Sequence, residues 1–438
     1  MTSDIAFGII SIFVLVLFFL TGIEIAFAIG IIGFIGYIYL SSFAGAMSML
    51  GKDIYDTFSS YGLTVIPLFV LMGQVAYHSG TARKIYDAAY RYVGHIPGGL
   101  AMTTVVGATL FKAMCGSTFA TVVAFSSVAV PEMIRYGYSK KLATGLVATV
   151  GTLGILMPPS VVLIILGLLT EQSIGRLFLA GIVPSLVLSL FFMGITIGWV
   201  KAYPEAAPRG EKSTWRQRIR ALPDIVWVIV LFSLVMGGLM KGFFSPTEAG
   251  SMGVAAILIL VFVREKFRLK QLLKPIDDAL RTACMVLMLI ACSTVFGHFL
   301  TITEIPIVAA EWTAGLAVNR NLIMVVIMLI YLIGGSFIDD LAFMILATPI
   351  FYPVILKLGF DPIWFCIMVG ATIMIGSVIP PVAVSVFLVK QITGENFKVI
   401  YDGVYPYLIG LVVCIILLFM FPQIATFLPD LLMGKGVK

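Results

Sequence analysis

The chain has 438 residues, of which 60% are hydrophobic and only 11% are charged. A mean hydropathy of +1.09 excludes a soluble globular protein and indicates a polytopic membrane protein in a lipid bilayer. The formal net charge of +6 calls for no nucleic-acid partner, because the basic residues cluster between apolar runs, as in the cytoplasmic loops of membrane proteins.

The apolar runs divide the chain, in order, into five predicted parts. Residues 1–96 are N-terminal scaffold helices, and 97–200 are a first transport repeat, with a hairpin over 97–134 and a broken helix over 139–169. Residues 201–281 hold scaffold helices and two amphipathic connectors, 215–222 and 266–280, typical of interfacial helices. Residues 282–422 are a second, inverted repeat, with a hairpin over 320–357 and a broken helix over 361–391. Residues 423–438 are a C-terminal tail.

The two repeats share a pattern at a constant offset of 222 residues. Seven glycines and prolines of 131–184 recur in 353–406, where roughly one match would be expected by chance. They pair as Pro131 with Pro353, Gly137 with Gly359, Gly154 with Gly376, Pro158-Pro159 with Pro380-Pro381, Gly181 with Gly403, and Pro184 with Pro406. The basic clusters place the copies in opposite orientations across the bilayer. We therefore predict an all-α polytopic fold of inverted repeats, with two re-entrant helical hairpins and two broken helices. The alternative is an ancient duplication whose prolines only kink the helices.

Each Pro-Pro pair interrupts a long apolar helix and leaves backbone carbonyls without N–H donors. A dehydrated sodium ion suits such carbonyls, because hard cations prefer oxygen ligands and the end of a half-helix carries negative potential. Each break would face the hairpin tip of its own repeat. We predict two sodium sites, formed by Ser117, Thr118, Gly154 and Met157 in the first repeat and by Gly335, Ser336, Asp339, Gly376, Ser377 and Ile379 in the second.

Charged residues inside the hairpins are candidates for binding a small anionic solute. An intramembrane carboxylate such as Asp339 or Asp340 indicates function, unless the hairpin mouth is shallow and wet. Lys112, in the first hairpin, could be the counter-ion of an anion or could extend to the cytoplasmic surface. The predicted solute contacts are Lys112, Gly116, Asp340, Pro158 and Pro380.

The sequence contains no nucleotide-binding, metal-ligand or nucleophile motif. We therefore expect no cofactor other than sodium as the coupling ion, and no enzyme activity. The cysteines are scattered through apolar runs and are expected to pack as small apolar residues.

Several motifs resemble the large membrane subunit, often called DctM-like, of the tripartite ATP-independent periplasmic (TRAP) transporters. They are Gly151-Thr152-Leu153-Gly154-Ile155-Leu156-Met157-Pro158-Pro159-Ser160, Phe244-Ser245-Pro246-Thr247-Glu248-Ala249-Gly250, Phe178-Leu179-Ala180-Gly181-Ile182-Val183-Pro184, and the region 339–353. The chain departs from the family at the first tip, Cys115-Gly116-Ser117, and after the second break, at Ala383 and Ser385.

The resemblance implies an elevator-type secondary transporter, driven by sodium, in the bacterial inner membrane. It implies two partners: a small four-helix membrane subunit and a soluble periplasmic solute-binding protein that delivers the solute. By family, a C4-dicarboxylate is the default solute, followed by sialic acid and other sugar or keto acids. The resemblance also implies sodium ligands at the hairpin tips and helix breaks.

Three other interpretations remain open from the sequence. One is a one-component sodium/carboxylate symporter that needs no partner. A membrane-embedded enzyme would need a polar catalytic cluster beyond Asp339 and Asp340, and a channel would usually repeat around a pore axis rather than as inverted repeats.

Overall fold

A computed structural model describes residues 2–19, 21–208, 210, 212–264, 268–315 and 318–434. These residues form α-helices, short 3₁₀ turns and connecting loops, with no β-strand among them. The helices are α1 Thr2–Phe19, α2 Ile25–Leu40, α3 Phe43–Ser59, α4 Val65–His78, α5 Thr81–Val93, α6 Gly99–Cys115, α7 Thr118–Arg135, α8 Lys140–Gly151, α9 Val161–Leu169, α10 Ile174–Ala202, α11 Trp215–Met240, α12 Pro246–Arg264, α13 Leu273–Ile302, α14 Ile305–Gly315, α15 Arg320–Phe337, α16 Asp340–Lys357, α17 Pro362–Gly376, α18 Val384–Thr393, α19 Phe397–Met420 and α20 Gln423–Met433.

Many of these helices have the length and composition of membrane spans. Within the described ranges, eight are long and apolar enough to cross a bilayer, or nine if the bent pair Phe43–Ser59 and Gly62–His78 is one span. The prediction of an all-α polytopic membrane protein is therefore confirmed. The amphipathic helix α3, which is capped at its N-terminus by Ser42, was not predicted from the sequence.

The predicted hairpins and broken helices are present at corresponding positions. Helices α6 and α7 form the first hairpin, and α15 and α16 form the second. Ser117 caps α7 and Asp339 caps α16, and these two capping residues are separated by the same 222 residues as the Pro-Pro pairs. The duplication thus extends through the hairpin tips, beyond the glycine and proline matches that revealed it.

The broken helices stop where proline removes the N–H donors. Helix α8 continues as a 3₁₀ turn over Thr152–Ile155 before the Pro158-Pro159 break, and α9 restarts after Ser160, whose hydroxyl caps it. Helix α17 ends at Gly376, and α18 begins after the Pro380-Pro381 break at Ala383, with φ +46°. Each break therefore creates two opposed helix ends inside an apolar run.

The two repeats are interlocked by their half-helices. Helix α9, after the first break, packs on α16 of the second hairpin, and α18, after the second break, packs on α7 of the first. Helix α8 likewise packs on α19, and α17 packs on α10. This exchange brings both breaks and both hairpin tips to one central region.

A separate group of helices flanks this centre. Helix α2 lies along α13 through a stripe of small residues, where a Cβ on Gly33 would lie 2.7 Å from Phe296 Cα. Helix α4 packs on both α12 and α13. Glycines at such crossings let the helix backbones approach closely, as is common within membranes.

Three predicted segments differ from the structure. The amphipathic segments are not separate interfacial helices: Trp215 begins the continuous helix α11, and 273–280 are the first turns of α13. Lys266, where the second segment was predicted to begin, lies outside the described residues. The predicted tail contains helix α20. Arg176 of α10 binds it by donating to Asp430 Oδ1 and to the Gly434 carbonyl, both at 2.7 Å.

Candidate functional site

The first hairpin tip lies directly on the first helix break. Gly116 has φ +60°, the left-handed conformation that ends α6 and that favours glycine. A Cβ at Gly116 would lie 2.6 Å from the Pro159 carbonyl oxygen. Ser117 then starts α7 by accepting a hydrogen bond from Ala120 N at 3.3 Å. The glycine is required both by the turn and by this close approach.

Lys112 lies one turn before that tip and is completely buried. Within the described chain, its Nζ has no hydrogen-bond partner. The side chain lies over Gly154: a Cβ there would overlap Lys112 Nζ and lie 2.5 Å from Lys112 Cε. Lys112 therefore points inward to the first break and does not extend to the cytoplasmic surface.

The second hairpin tip meets the second break through backbone groups. A Cβ at Gly376 would lie 3.0 Å from the carbonyl carbon of Gly335. Val382 N donates to Ser336 O at 3.1 Å, and Ser385 N donates to Ser377 O at 3.1 Å across the break. The second tip and break are thus joined without a charged side chain between them.

The two aspartates at the second tip have different surroundings. Asp339 Oδ1 caps α16 by accepting from Leu341 N and Ala342 N, each at 3.2 Å. Asp340 Oδ1 accepts from Leu341 N at 3.0 Å. Both aspartates therefore lie at the N-terminus of α16, where the positive end of the helix favours a carboxylate.

The two breaks differ in accessibility. Every residue from Gly151 to Ser160 is buried, whereas Pro380 and Pro381 are exposed and Asp339 and Asp340 are partly exposed. Nothing lies within 4 Å of the position of a Cβ on Gly335. Open space is therefore found at the second tip, while the first break is filled.

The family relation rests on nearly the whole chain. Residues 12–424 match the family described as the tripartite ATP-independent periplasmic transporter, DctM component. The chain belongs to the DctM family. It is 34% identical over 384 residues, covering 87% of this chain and 89% of the relative, to the C4-dicarboxylate TRAP transporter large permease protein DctM of Pseudomonas aeruginosa.

Other comparisons bear on solute range and fold. The chain is 30% identical to the sialic acid TRAP transporter permease protein SiaT of Haemophilus influenzae, over 87% of this chain and 62% of that relative. It shares its fold with the YdaH transporter of Alcanivorax borkumensis, at TM-score 0.63 and 15% identity over 87% of this chain and 89% of that one. This DctM-family chain is accordingly a multi-pass transporter permease rather than an enzyme.

The backbone N–H groups of two predicted sodium ligands form hydrogen bonds within the chain, and their carbonyl oxygens are the atoms that could bind a cation. Met157 N donates to Leu153 O at 2.9 Å, and Ile379 N donates to Ile375 O at 3.1 Å. Thr118 begins α7, and its hydroxyl makes no hydrogen bond within the described residues. Those residues also contain no group of three or more His, Cys, Asp or Glu side chains that could hold a metal ion. Any cation at these breaks would therefore depend largely on carbonyl and hydroxyl oxygens.

Three groups at the site were not predicted as contacts. The Pro159 carbonyl faces Gly116, and Cys115 Sγ lies 3.2 Å from Thr121 Oγ1. The buried hydroxyl of Ser385 has no hydrogen-bond partner among the described residues. Ser385 stood out in the sequence only as a departure from the family pattern, which could have marked it as a site residue.

Proposed function

We propose that this DctM-family protein imports a small organic acid across the bacterial inner membrane by sodium-driven secondary transport. The observation that supports this most directly is the junction of two broken helices with two hairpin tips, beside the buried side chain of Lys112. Discontinuous helices meeting at one place are typical of the solute and ion sites of secondary transporters.

Sodium coupling is supported by the chemistry of the breaks. Adjacent prolines leave backbone carbonyls without N–H donors. The 3₁₀ turn after α8 ends at the first break and α17 ends before the second, so a negative helix end lies at each break. At the second break, Gly376, Ser377 and the Gly335 carbonyl offer oxygen ligands beside open space. A dehydrated sodium ion would satisfy groups that the membrane interior leaves without water.

An anionic solute is supported by positive potential at the same centre. The N-termini of α9 and α18 present backbone N–H groups, and the basic side chain of Lys112 lies at the first break. A carboxylate of the solute would lie near these groups, with Gly116, Pro158, Pro380 and the free Ser385 hydroxyl as neutral surroundings. The solute class is a C4-dicarboxylate or a sugar acid, the kinds of solute after which the two relatives are named.

Movement would follow the division of the helices into two groups. The broken helices pack on helices of the other repeat, and the two arms of each hairpin pack on each other, whereas α13 packs on α2 and α4, and α4 packs on α12. The hairpins also contact neighbouring helices, with α6 on α5 and α16 on α14. In an elevator mechanism, the first group carries solute and sodium across the bilayer against the second, which stays fixed.

Two partner proteins belong to the proposal. A small four-helix membrane subunit would cover apolar surface such as that of α1 and α2, where Ile9, Phe13 and Ile35 are more than half exposed. A soluble periplasmic solute-binding protein would deliver the solute to the outer face. Both follow from the name of the family, which describes a tripartite system.

Uptake by proteoliposomes tests the proposal. Purified protein would be supplied with labelled succinate or sialic acid, an inward sodium gradient and the two partners in every combination. We expect uptake only with sodium and both partners. Equal uptake with potassium would refute sodium coupling, and full uptake without partners would identify a one-component symporter.

A further inference from the structure

The buried lysine of the first repeat has no counterpart in the second. At the 222-residue offset, Gly154 corresponds to Gly376, but Lys112 corresponds to Gly334. The three atoms nearest a Cβ on Gly154 belong to the Lys112 side chain, whereas those nearest a Cβ on Gly376 belong to the backbone of Gly335 and Ser336. The two breaks therefore have corresponding backbone positions, but only the first has a lysine side chain of the protein against its glycine, Gly154.

Lys112 lies at the break where the sequence predicts a sodium ion. Lys112 Nζ lies at Gly154, immediately before the Pro158-Pro159 break, where carbonyl groups and a helix end create negative potential. Its burial is complete, and no hydrogen bond within the described residues explains why a charged group lies there. Burying a charged side chain inside a membrane costs free energy, so a residue of this kind indicates a function.

We propose that the Lys112 ammonium occupies the cation position of the first repeat, so that only the second repeat takes up a sodium ion. This deepens the proposed function, on which it rests, and replaces the prediction of a sodium ion at both breaks. The tethered ammonium would supply a positive charge next to the negative helix end at this break. A free sodium ion in the same place would be repelled by it, because two like charges at contact distance oppose each other strongly inside a protein.

Equilibrium binding of ²²Na⁺ to the purified full chain tests the number of ions directly, with sodium alone as the probe. We expect one sodium ion per wild-type chain and two per Lys112→Ala chain, since removing the ammonium vacates the first position. Lys141→Ala is the matched control, because Lys141 pairs with Asp402 away from both breaks and its loss should leave one ion. Two ions in the wild type, or one in a folded Lys112→Ala chain, would overturn the proposal.

A double-mutant cycle tests the location of the ammonium without counting ions. Gly154→Ala should lower the apparent Tm of the wild-type chain, because the new Cβ overlaps Lys112 Nζ, and Lys112→Ala should remove that penalty. Gly376→Ala is the control: its Cβ meets backbone, so Lys112→Ala should not rescue it. A Gly154→Ala penalty that is equal in both backgrounds would show that Lys112 does not lie at the break.

Failure of this inference can be distinguished from failure of the proposed function. Sodium-dependent uptake with two bound ions would leave sodium-driven transport intact and remove only the role of Lys112. Uptake independent of sodium, with no ²²Na⁺ bound by the wild type, would refute the coupling itself.

Discussion

Gly145 of α8 and Gly403 of α19 bring the two repeats into backbone contact. A Cβ on Gly145 would overlap the Gly403 backbone, and a Cβ on Gly403 would overlap Lys141 O and lie 2.9 Å from Gly145 Cα. The ion pair between Lys141 and Asp402, at 2.8 Å, lies at the same crossing. The exchange of helices between repeats therefore depends on the absence of side chains at this point.

Gly403→Ala should destabilise the protein by about 1–3 kcal/mol, since a methyl group must push α8 and α19 apart. The measurement is the apparent Tm of the purified chain. Gly194→Ala in α10 is the control, because nothing lies within 4 Å of its Cβ position, and it should not lower the Tm. Equal Tm values for both variants would contradict the close crossing.

Asp340→Asn should reduce solute uptake at least tenfold while membrane expression is retained. The substitution keeps the size of the side chain but removes a carboxylate charge at the second hairpin tip, and an intramembrane carboxylate indicates a function. Uptake in proteoliposomes with both partners is the measurement. Glu311→Gln, which removes only an exposed ion pair with Lys357, should transport normally, and wild-type uptake by Asp340→Asn would place Asp340 outside the site.

Gly376→Val should strongly impair uptake, because the branched side chain would crowd the Gly335 carbonyl group at the second break. Its sodium dependence should shift to higher concentrations, since the carbonyls proposed to bind sodium would be displaced. Gly297→Val in α13, where no atom lies within 4 Å of the Cβ position, is the matched control. Normal sodium dependence in both variants would argue against an ion at Gly376.

Asp430→Ala should detach α20 and lower the apparent Tm, by an amount equivalent to about 1 kcal/mol, because the ion pair with Arg176 is partly buried. Asp277→Ala removes an exposed pair with Arg281 one helical turn away, and such pairs contribute little. We expect a measurable decrease only for Asp430→Ala. A decrease of the same size in Asp277→Ala would indicate a general charge effect.

The sequence determined the features that depend on local backbone chemistry. Proline has no N–H, so Pro158-Pro159 and Pro380-Pro381 had to break their helices wherever the chain placed them. Repetition of glycine and proline at one offset located both broken helices, the basic clusters located the hairpins, and apolar composition indicated the membrane environment. These signals need no knowledge of distant contacts.

Only the tertiary structure decided the features that depend on packing between distant segments. Lys112 could have extended to the surface, but the fold buries it at Gly154, 42 positions along the chain. Helix α20 packs against α10, where Arg176 binds Asp430. Helix α11 includes one of the two segments whose amphipathic pattern alone predicted separate helices, and α13 includes residues 273–280 of the other. Helical periodicity reports which face of a helix is apolar, but not which neighbour covers it, and that choice is made by the folded chain as a whole.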